Sequence, residues 1–183
     1  MKPGTRRLPP TGIPSVREAI RQTRPFRSLR QEGVIALFLA SDAVRRSVAQ
    51  LLDNEAGLTP QQYNVLRILR GAGEKGLPTL EIPERMIEQA PGITRLLDRL
   101  ERKAWVERER SKGDRRQVIC RITKSGLALM ARLDVQLDGK DDEILGMLSL
   151  KETRALIDLL NRIRAGQARP GSTTSAAAAA KER

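Results

Sequence analysis

The stretch that decides the fold is residues 89–126, QAPGITRLLDRLERKAWVERERSKGDRRQVICRITKSG. Ile93, Leu96, Leu97 and Leu100 recur at i, i+3, i+4 and i+7, the apolar stripe of a helix that runs to Lys103. Thr94, Arg95, Arg99 and Arg102 fall off that stripe. Gln89 is placed to cap the helix, with Pro91 and Gly92 in its first turn. Strands follow over Val106 to Arg110 and Gln117 to Ile122, where Val118, Cys120 and Ile122 alternate onto one face. Between them lies the basic turn Ser111-Lys112-Gly113-Asp114-Arg115-Arg116. A basic helix beside a narrow arginine-tipped ribbon is suited to holding DNA.

Upstream, Thr59-Pro60-Gln61-Gln62 joins an N-cap, a proline at the first helical position and a capping-box glutamine. The helix it opens carries Tyr63, Val65, Leu66, Ile68 and Leu69, and Gly71-Ala72-Gly73 stops it. Before it, the apolar spacing from Glu32 to Asp53 predicts a long amphipathic helix. Thr79 caps a short helix over Leu80 to Ile87, with Pro83 an awkward member. Downstream, Thr123 caps a helix through Leu127, Met130, Leu133 and Leu137, which Gly139 and the acidic Asp141-Asp142-Glu143 interrupt. Ser149 and Glu152 form a capping box for a last helix presenting Leu156, Ile157, Leu160 and Ile163.

Residues 1–30 hold five prolines and eight basic residues against one acid, Glu18. Both features oppose packing, so this segment reads as a flexible basic arm with room for a short helix from Ser15 to Arg24. The simpler role for it is a solvated leader; the alternative is an arm that adds contacts to DNA phosphates. Residues 166–183, polar and then alanine-rich, read as a disordered tail.

Composition narrows the function. The chain has 183 residues, 39% hydrophobic but only 2% aromatic, so its core is aliphatic and helix-favouring. A net charge of +12 makes an acidic polymer the natural partner. With no histidine and one cysteine, Cys120, there is no His-based catalytic triad, no histidine-ligated metal and no internal disulfide. No cofactor or metal is implied, and an enzyme is the reading with least support. No apolar run reaches membrane-helix length and no secretory signal follows the N-terminus. The expected location is the cytoplasm, in a reducing compartment.

The order of short helix, turn, basic helix and β-ribbon is that of a winged helix-turn-helix. The fold class is therefore mainly α with a small β-wing, plus dimerisation helices. In such a domain the second helix enters the major groove, N-terminal residues foremost. Here that end offers Gln89, Gly92, Thr94 and Arg95, with Arg99 a turn further on. Gln suits adenine and Arg suits guanine in bidentate contacts, each worth about 1–3 kcal/mol of discrimination. The wing offers Arg110, Lys112, Arg115 and Arg116; an arginine on a ribbon can enter a narrow minor groove. Cys120 reads as a buried structural thiol, Trp105 as a packing residue, and Tyr63 as core in preference to the wall of an effector pocket.

At about residues 30 to 165 the chain resembles the MarR family of bacterial transcriptional regulators. The matching pieces are Leu58-Thr59-x-x-Gln62-Tyr63-x-Val65-Leu66, the run from Ile93 to Glu101, Trp105-Val106, and Asp114-Arg115-Arg116 leading to Ile122-Thr123-x-x-Gly126. The resemblance implies a homodimer, dimerised through its first and last two helices, binding double-stranded DNA with two recognition helices and two wings. It implies that Arg116 is the minor-groove arginine and that Asp98 pairs with a wing arginine, positioning the ribbon. It also implies repression of a pseudo-palindromic operator, association with the nucleoid through DNA, and in many relatives release by a small phenolic or otherwise anionic effector. Two positions depart from the pattern. Ala104 stands where the family has glycine, costing about 1 kcal/mol if the backbone there is left-handed. Pro83 stands where it has alanine. The domains expected are thus an arm over 1–30, a winged helix-turn-helix with dimerisation helices over 31–165, and a tail over 166–183. The rival functions are a nonspecific architectural nucleic-acid binder and a winged-helix module for protein interaction.

Overall fold

The computed structural model describes residues 12–88, 92–111, 113–114 and 116–167. The chain divides into two units, Met1–Leu137 and Asp138–Arg183. The first contains α1 (Val16–Ala19), α2 (Leu29–Ala56), α3 (Pro60–Ala72), β1 (Leu77–Pro78), α4 (Ile93–Arg102), β2 (Val106–Arg110), β3 (Val118–Ile122) and most of α5 (Lys124–Leu145). The second contains the end of α5 and α6 (Leu150–Gln167).

Local signals set several of these elements. Thr59 accepts from the Gln62 amide while the Gln62 side chain accepts from the Thr59 amide, so two orphan donors at the start of α3 are satisfied reciprocally. Ser149 and Glu152 repeat the device at α6. Thr123 Oγ1 accepts from the Gly126 amide at the head of α5. Gly126 must be glycine for a packing reason: a Cβ there would run into the Trp105 carbonyl. The core lies where α3, α4 and the sheet converge: Val65, Leu66, Leu69, Leu97, Leu100 and Cys120 are all fully buried. Each such leucine contributes on the order of 1.5–3 kcal/mol by leaving water.

Four expectations need correcting. The helix read over Leu80 to Ile87 is two 3₁₀ turns, Thr79–Glu81 and Pro83–Arg85. Pro83 cannot donate the bond an α-helix requires and its ring crowds the carbonyl four residues back. Thr79 does not cap; its hydroxyl donates to the Val118 carbonyl at 3.1 Å. Buried Ile82, at the junction of the two turns, anchors them to the core.

The recognition helix starts at Ile93, not near Gln89, and its N-cap is Gly92 at φ 86°, with no side-chain cap. That left-handed conformation favours glycine, which carries no Cβ. α5 passes through Gly139 without a break, because one interior glycine costs only about 1 kcal/mol; the Lys140–Glu143 ion pair lies just beyond it. At the N-terminus, α1 covers only Val16–Ala19 of the stretch read from Ser15 to Arg24. Arg21 at φ 52° turns the chain, and Arg17 donates to the carbonyls of Gln22 and Thr23.

The sheet also gains a strand. Its order is β1-β3-β2, antiparallel throughout, with Leu77 opposite Cys120 and Arg108 opposite Cys120 on the other side. Pro78 is tolerated because β1 is an edge strand.

Ala104, between α4 and β2, has φ 57°. The left-handed backbone that penalises a Cβ is therefore present. Ala104→Gly should raise stability by about 0.5–1 kcal/mol, read as a higher urea midpoint at unchanged slope; a lower midpoint would show that the alanine carries no strain.

Candidate nucleic-acid interface

α4 turns two faces outward from its buried edge. Leu97 and Leu100 are buried and Ile93 and Leu96 half-buried, so Thr94, Arg95, Arg99 and Arg102 are left exposed. Gly92 is exposed at the helix start, its carbonyl accepting from the amides of Arg95 and Leu96. Gln89 lies outside the described residues, as do Lys112 and Arg115. Arg110 and Arg116 are exposed on the wing. Two polar groups brace the described residues of the turn: the Asp114 carboxylate accepts from the Arg116 amide at 3.0 Å, and Ser111 Oγ accepts from the Gly113 amide at 3.3 Å. Among the described residues Arg95, Arg99, Arg110 and Arg116 form no ion pair. Their charge is unspent.

Helix and ribbon are joined by one guanidinium. Arg108 Nη2 is 2.7 Å from Asp98 Oδ1. The same guanidinium grips Glu101 Oε2, with Nε at 3.0 Å and Nη2 closer still. The arginine that Asp98 meets is thus at the middle of β2, not at the wing tip. Arg108 follows Val106 on the inward face of the strand and is only 24% exposed. A charge on an inward face needs a partner, and Asp98 and Glu101, three residues apart on one helix face, supply two.

Glu101 and Arg108 were absent from the residues singled out in the sequence. The signal was available: an arginine two residues after a core valine in a strand whose neighbouring helix carries acids at i and i+3.

The Arg108 hydrogen bond holds the Glu101 carboxyl below its ordinary 4.5, outweighing the opposing effect of desolvation. A carboxyl lowered in the folded state contributes stability above its unfolded pKa and loses it as pH falls through the folded value. Wild type and Glu101→Gln should therefore differ at neutral pH, by about 1 kcal/mol for a half-exposed charged contact, and the gap should close as pH falls below the ordinary carboxylate range and through the lowered folded value. Urea midpoints of both proteins across that range measure it; a constant gap would remove Glu101 from the clamp.

The junction after α4 is tied in several directions. Lys103 Nζ donates to the carbonyls of Ala56 and Gly57 at the end of α2 and sits 4.6 Å above the Trp105 ring. The Ala104 carbonyl accepts from the hydroxyls of Thr123 and Ser125, and the Trp105 carbonyl from the Thr123 amide. Trp105 is half-buried against the core. Tyr63 also packs against the core and at the same time lines a cleft of about 160 Å³ with Val48, Leu52, Met86 and Ile87. Cys120 is fully buried; desolvation pushes its thiol upward, with partial relief from Thr79 Oγ1 at 3.3 Å. A protonated, enclosed sulfur is poorly nucleophilic.

In sequence and fold the chain is similar to known proteins. Residues 58–118 match the model of the MarR family. The HTH-type transcriptional regulator TtmR of Methylorubrum extorquens (strain PA1) is 37% identical over 152 residues, covering 82% of this chain and 75% of that protein. The crystal structure of a MarR transcription factor from Planctomyces limnophilus is 35% identical with a TM-score of 0.59, covering 75% of this chain and 98% of that one. Sco3205, a MarR family transcriptional regulator from Streptomyces coelicolor solved in complex with DNA, shares the fold with a TM-score of 0.68 at 18% identity, covering 81% of this chain and 95% of that one. With its winged helix, its matched core and its relatives in agreement, this chain belongs to the MarR family of transcriptional regulators.

Proposed function

We propose that this regulator is a homodimeric repressor of a pseudo-palindromic operator. The observation that carries the reading is the set of unpaired, exposed arginines on α4 and the wing, Arg95, Arg99, Arg110 and Arg116, held in register by the Arg108 clamp. In this reading Thr94, Arg95 and Arg99, with Gln89 and Gly92 beside them, face the major groove. Arg110, Lys112 and Arg115 contact phosphates, Arg116 enters the minor groove, and Asp98 positions the wing. The DNA complex of the fold relative Sco3205 supports this use of the fold.

Dimerisation has its own support. α6 buries none of its residues, leaving Leu150, Ile157, Leu160 and Ile163 exposed, and Leu29, Val34 and Phe38 are exposed on α2. Large apolar side chains left exposed along a helix are characteristic of interfaces. The functional division is an N-terminal arm over 1–30, the DNA-binding and dimerisation region over 31–165, and a tail over 166–183. Among the described residues no helix is long and apolar enough to cross a membrane, in keeping with a cytoplasmic protein that meets the nucleoid through DNA. The cleft beside Tyr63, walled by α2, α3 and Met86–Glu88, gives a small-molecule effector a place to bias the recognition helix.

Selection from random-sequence DNA followed by footprinting tests the reading. A palindromic motif with half-sites about one helical turn apart, 34–36 Å, is the expected result. Binding without an enriched motif would favour an architectural binder, and no binding a protein-interaction module.

A further inference from the structure

The walls of the cleft beside Tyr63 are apolar: Val48 and Leu52 come from α2, Tyr63 from α3, and Met86 and Ile87 from the stretch before α4. Its volume is about 160 Å³. An apolar cavity of about 150 Å³ accepts a benzene ring, so there is room for a single ring.

One nearly buried polar side chain stands among these walls. Asn64 lines the cleft and is 5% exposed. Its Oδ1 accepts from Arg67 Nε at 3.1 Å and from Arg67 Nη2 at 2.8 Å. A guanidinium only donates, so the Asn64 oxygen must face Arg67 and the amide nitrogen must face away from it. Among the described residues that nitrogen has no hydrogen-bond partner, and no buried side-chain nitrogen or oxygen is sealed off without one. The nitrogen therefore meets accessible space, and the space that Asn64 lines is the cleft. A donor enclosed this far gains from an acceptor placed there.

The charges lie at the rim. Arg45 and Glu88 line the cleft with half-exposed side chains and pair with each other at 3.2 Å. Asp42, which also pairs with Arg46, stands 3.9 Å from the Arg45 guanidinium. Two arginines thus face two carboxylates, and Arg67 is no part of the wall. An entering anion meets no uncompensated cation on the lining, while its own desolvation against apolar walls is costly.

We propose that this cleft takes an uncharged, single-ring ligand bearing a hydrogen-bond acceptor, such as an aromatic ester or ketone. The acceptor sits on the Asn64 amide, the ring lies against the apolar walls, and the Arg45–Glu88 pair turns anions away. The inference rests on the effector reading above and narrows it from phenolic or anionic molecules to neutral acceptors.

Calorimetric titration of the full chain with methyl benzoate, benzoate and propylbenzene tests it. Methyl benzoate should bind more tightly than propylbenzene, which lacks the acceptor, by about 3- to 10-fold, the range of one neutral hydrogen bond. Benzoate should bind more weakly than methyl benzoate by about tenfold or more. Asn64→Ala should erase the difference between the ester and the hydrocarbon. Glu88→Gln, an exposed change that leaves the fold intact, frees Arg45 and should improve benzoate relative to methyl benzoate by about 3- to 10-fold. Equal binding of ester and hydrocarbon by wild type overturns the proposal, since Asn64 would then serve water only. So does a preference for benzoate, an unchanged ratio in Glu88→Gln, or no binding by any of the three probes. Operator titration with and without methyl benzoate keeps the effector reading separate. Selective binding that leaves operator affinity unchanged would sustain the ligand site and sink its role as an effector site.

Discussion

Arg108→Ala should weaken operator binding by about tenfold or more and lower folding stability by about 1–2 kcal/mol. Removing the guanidinium deletes charge-assisted bonds worth about 1.5–3 kcal/mol each when enclosed, here reduced because Asp98 and Glu101 are 47% and 39% exposed. It also leaves two carboxylates three residues apart on the helix meant to approach phosphates, so the variant gains repulsion as well as losing a fastening. Arg108→Lys keeps the charge but not the planar fork that reaches both acids, and should recover only part of the loss. Adding Asp98→Asn and Glu101→Gln to Arg108→Ala should restore stability more than DNA affinity, because the repulsion goes but the wing stays loose. Urea unfolding and operator titration measure the two separately. Wild-type affinity in Arg108→Ala would mean that the wing holds its place without the clamp.

Arg116→Ala should act differently. The Arg116 side chain makes no ion pair or hydrogen bond within the described residues and is exposed, so its loss leaves stability within about 0.5 kcal/mol of wild type. Operator affinity should nevertheless fall by about 1–3 kcal/mol, with the salt slope about one unit shallower. The loss should be greatest on operators with A·T-rich flanks, where a narrow minor groove concentrates negative potential. Affinity and slope measured over a range of salt decide it; an unchanged slope would remove Arg116 from the interface.

What was legible in the sequence was what neighbours in the chain settle between themselves. Thr59 and Gln62 are three residues apart, as are Ser149 and Glu152, so a capping box can be read directly. The stripe from Ile93 to Leu100 and the alternation through Cys120 likewise need only local spacing. The misreadings have distant or competing causes. β1 is two residues long and exists because Leu77 and Pro78 pair with Cys120 and Ile119, far along the chain. The helix expected over Leu80 to Ile87 failed because Pro83 withholds a donor and the Thr79 hydroxyl goes to Val118 instead. Glu101 resembled an ordinary surface acid until β2 brought Arg108 against it. The interface arginines were legible as charges, but which of them stay free and which are spent on structure depends on tertiary pairing.

The fastening of residues 103–105 has a mechanical consequence. Lys103 grips the end of α2, while Ala104 and Trp105 grip the start of α5. These bonds oppose sliding of the recognition helix along either neighbour and favour its moving, with the ribbon, together with α2 about this pivot. α2 is then a lever: on an arm of about 42 Å, a swing of about 5° carries the far tip through roughly 4 Å. A small push in the cleft near the pivot, where Val48 and Leu52 lie, becomes a larger excursion at the far tip.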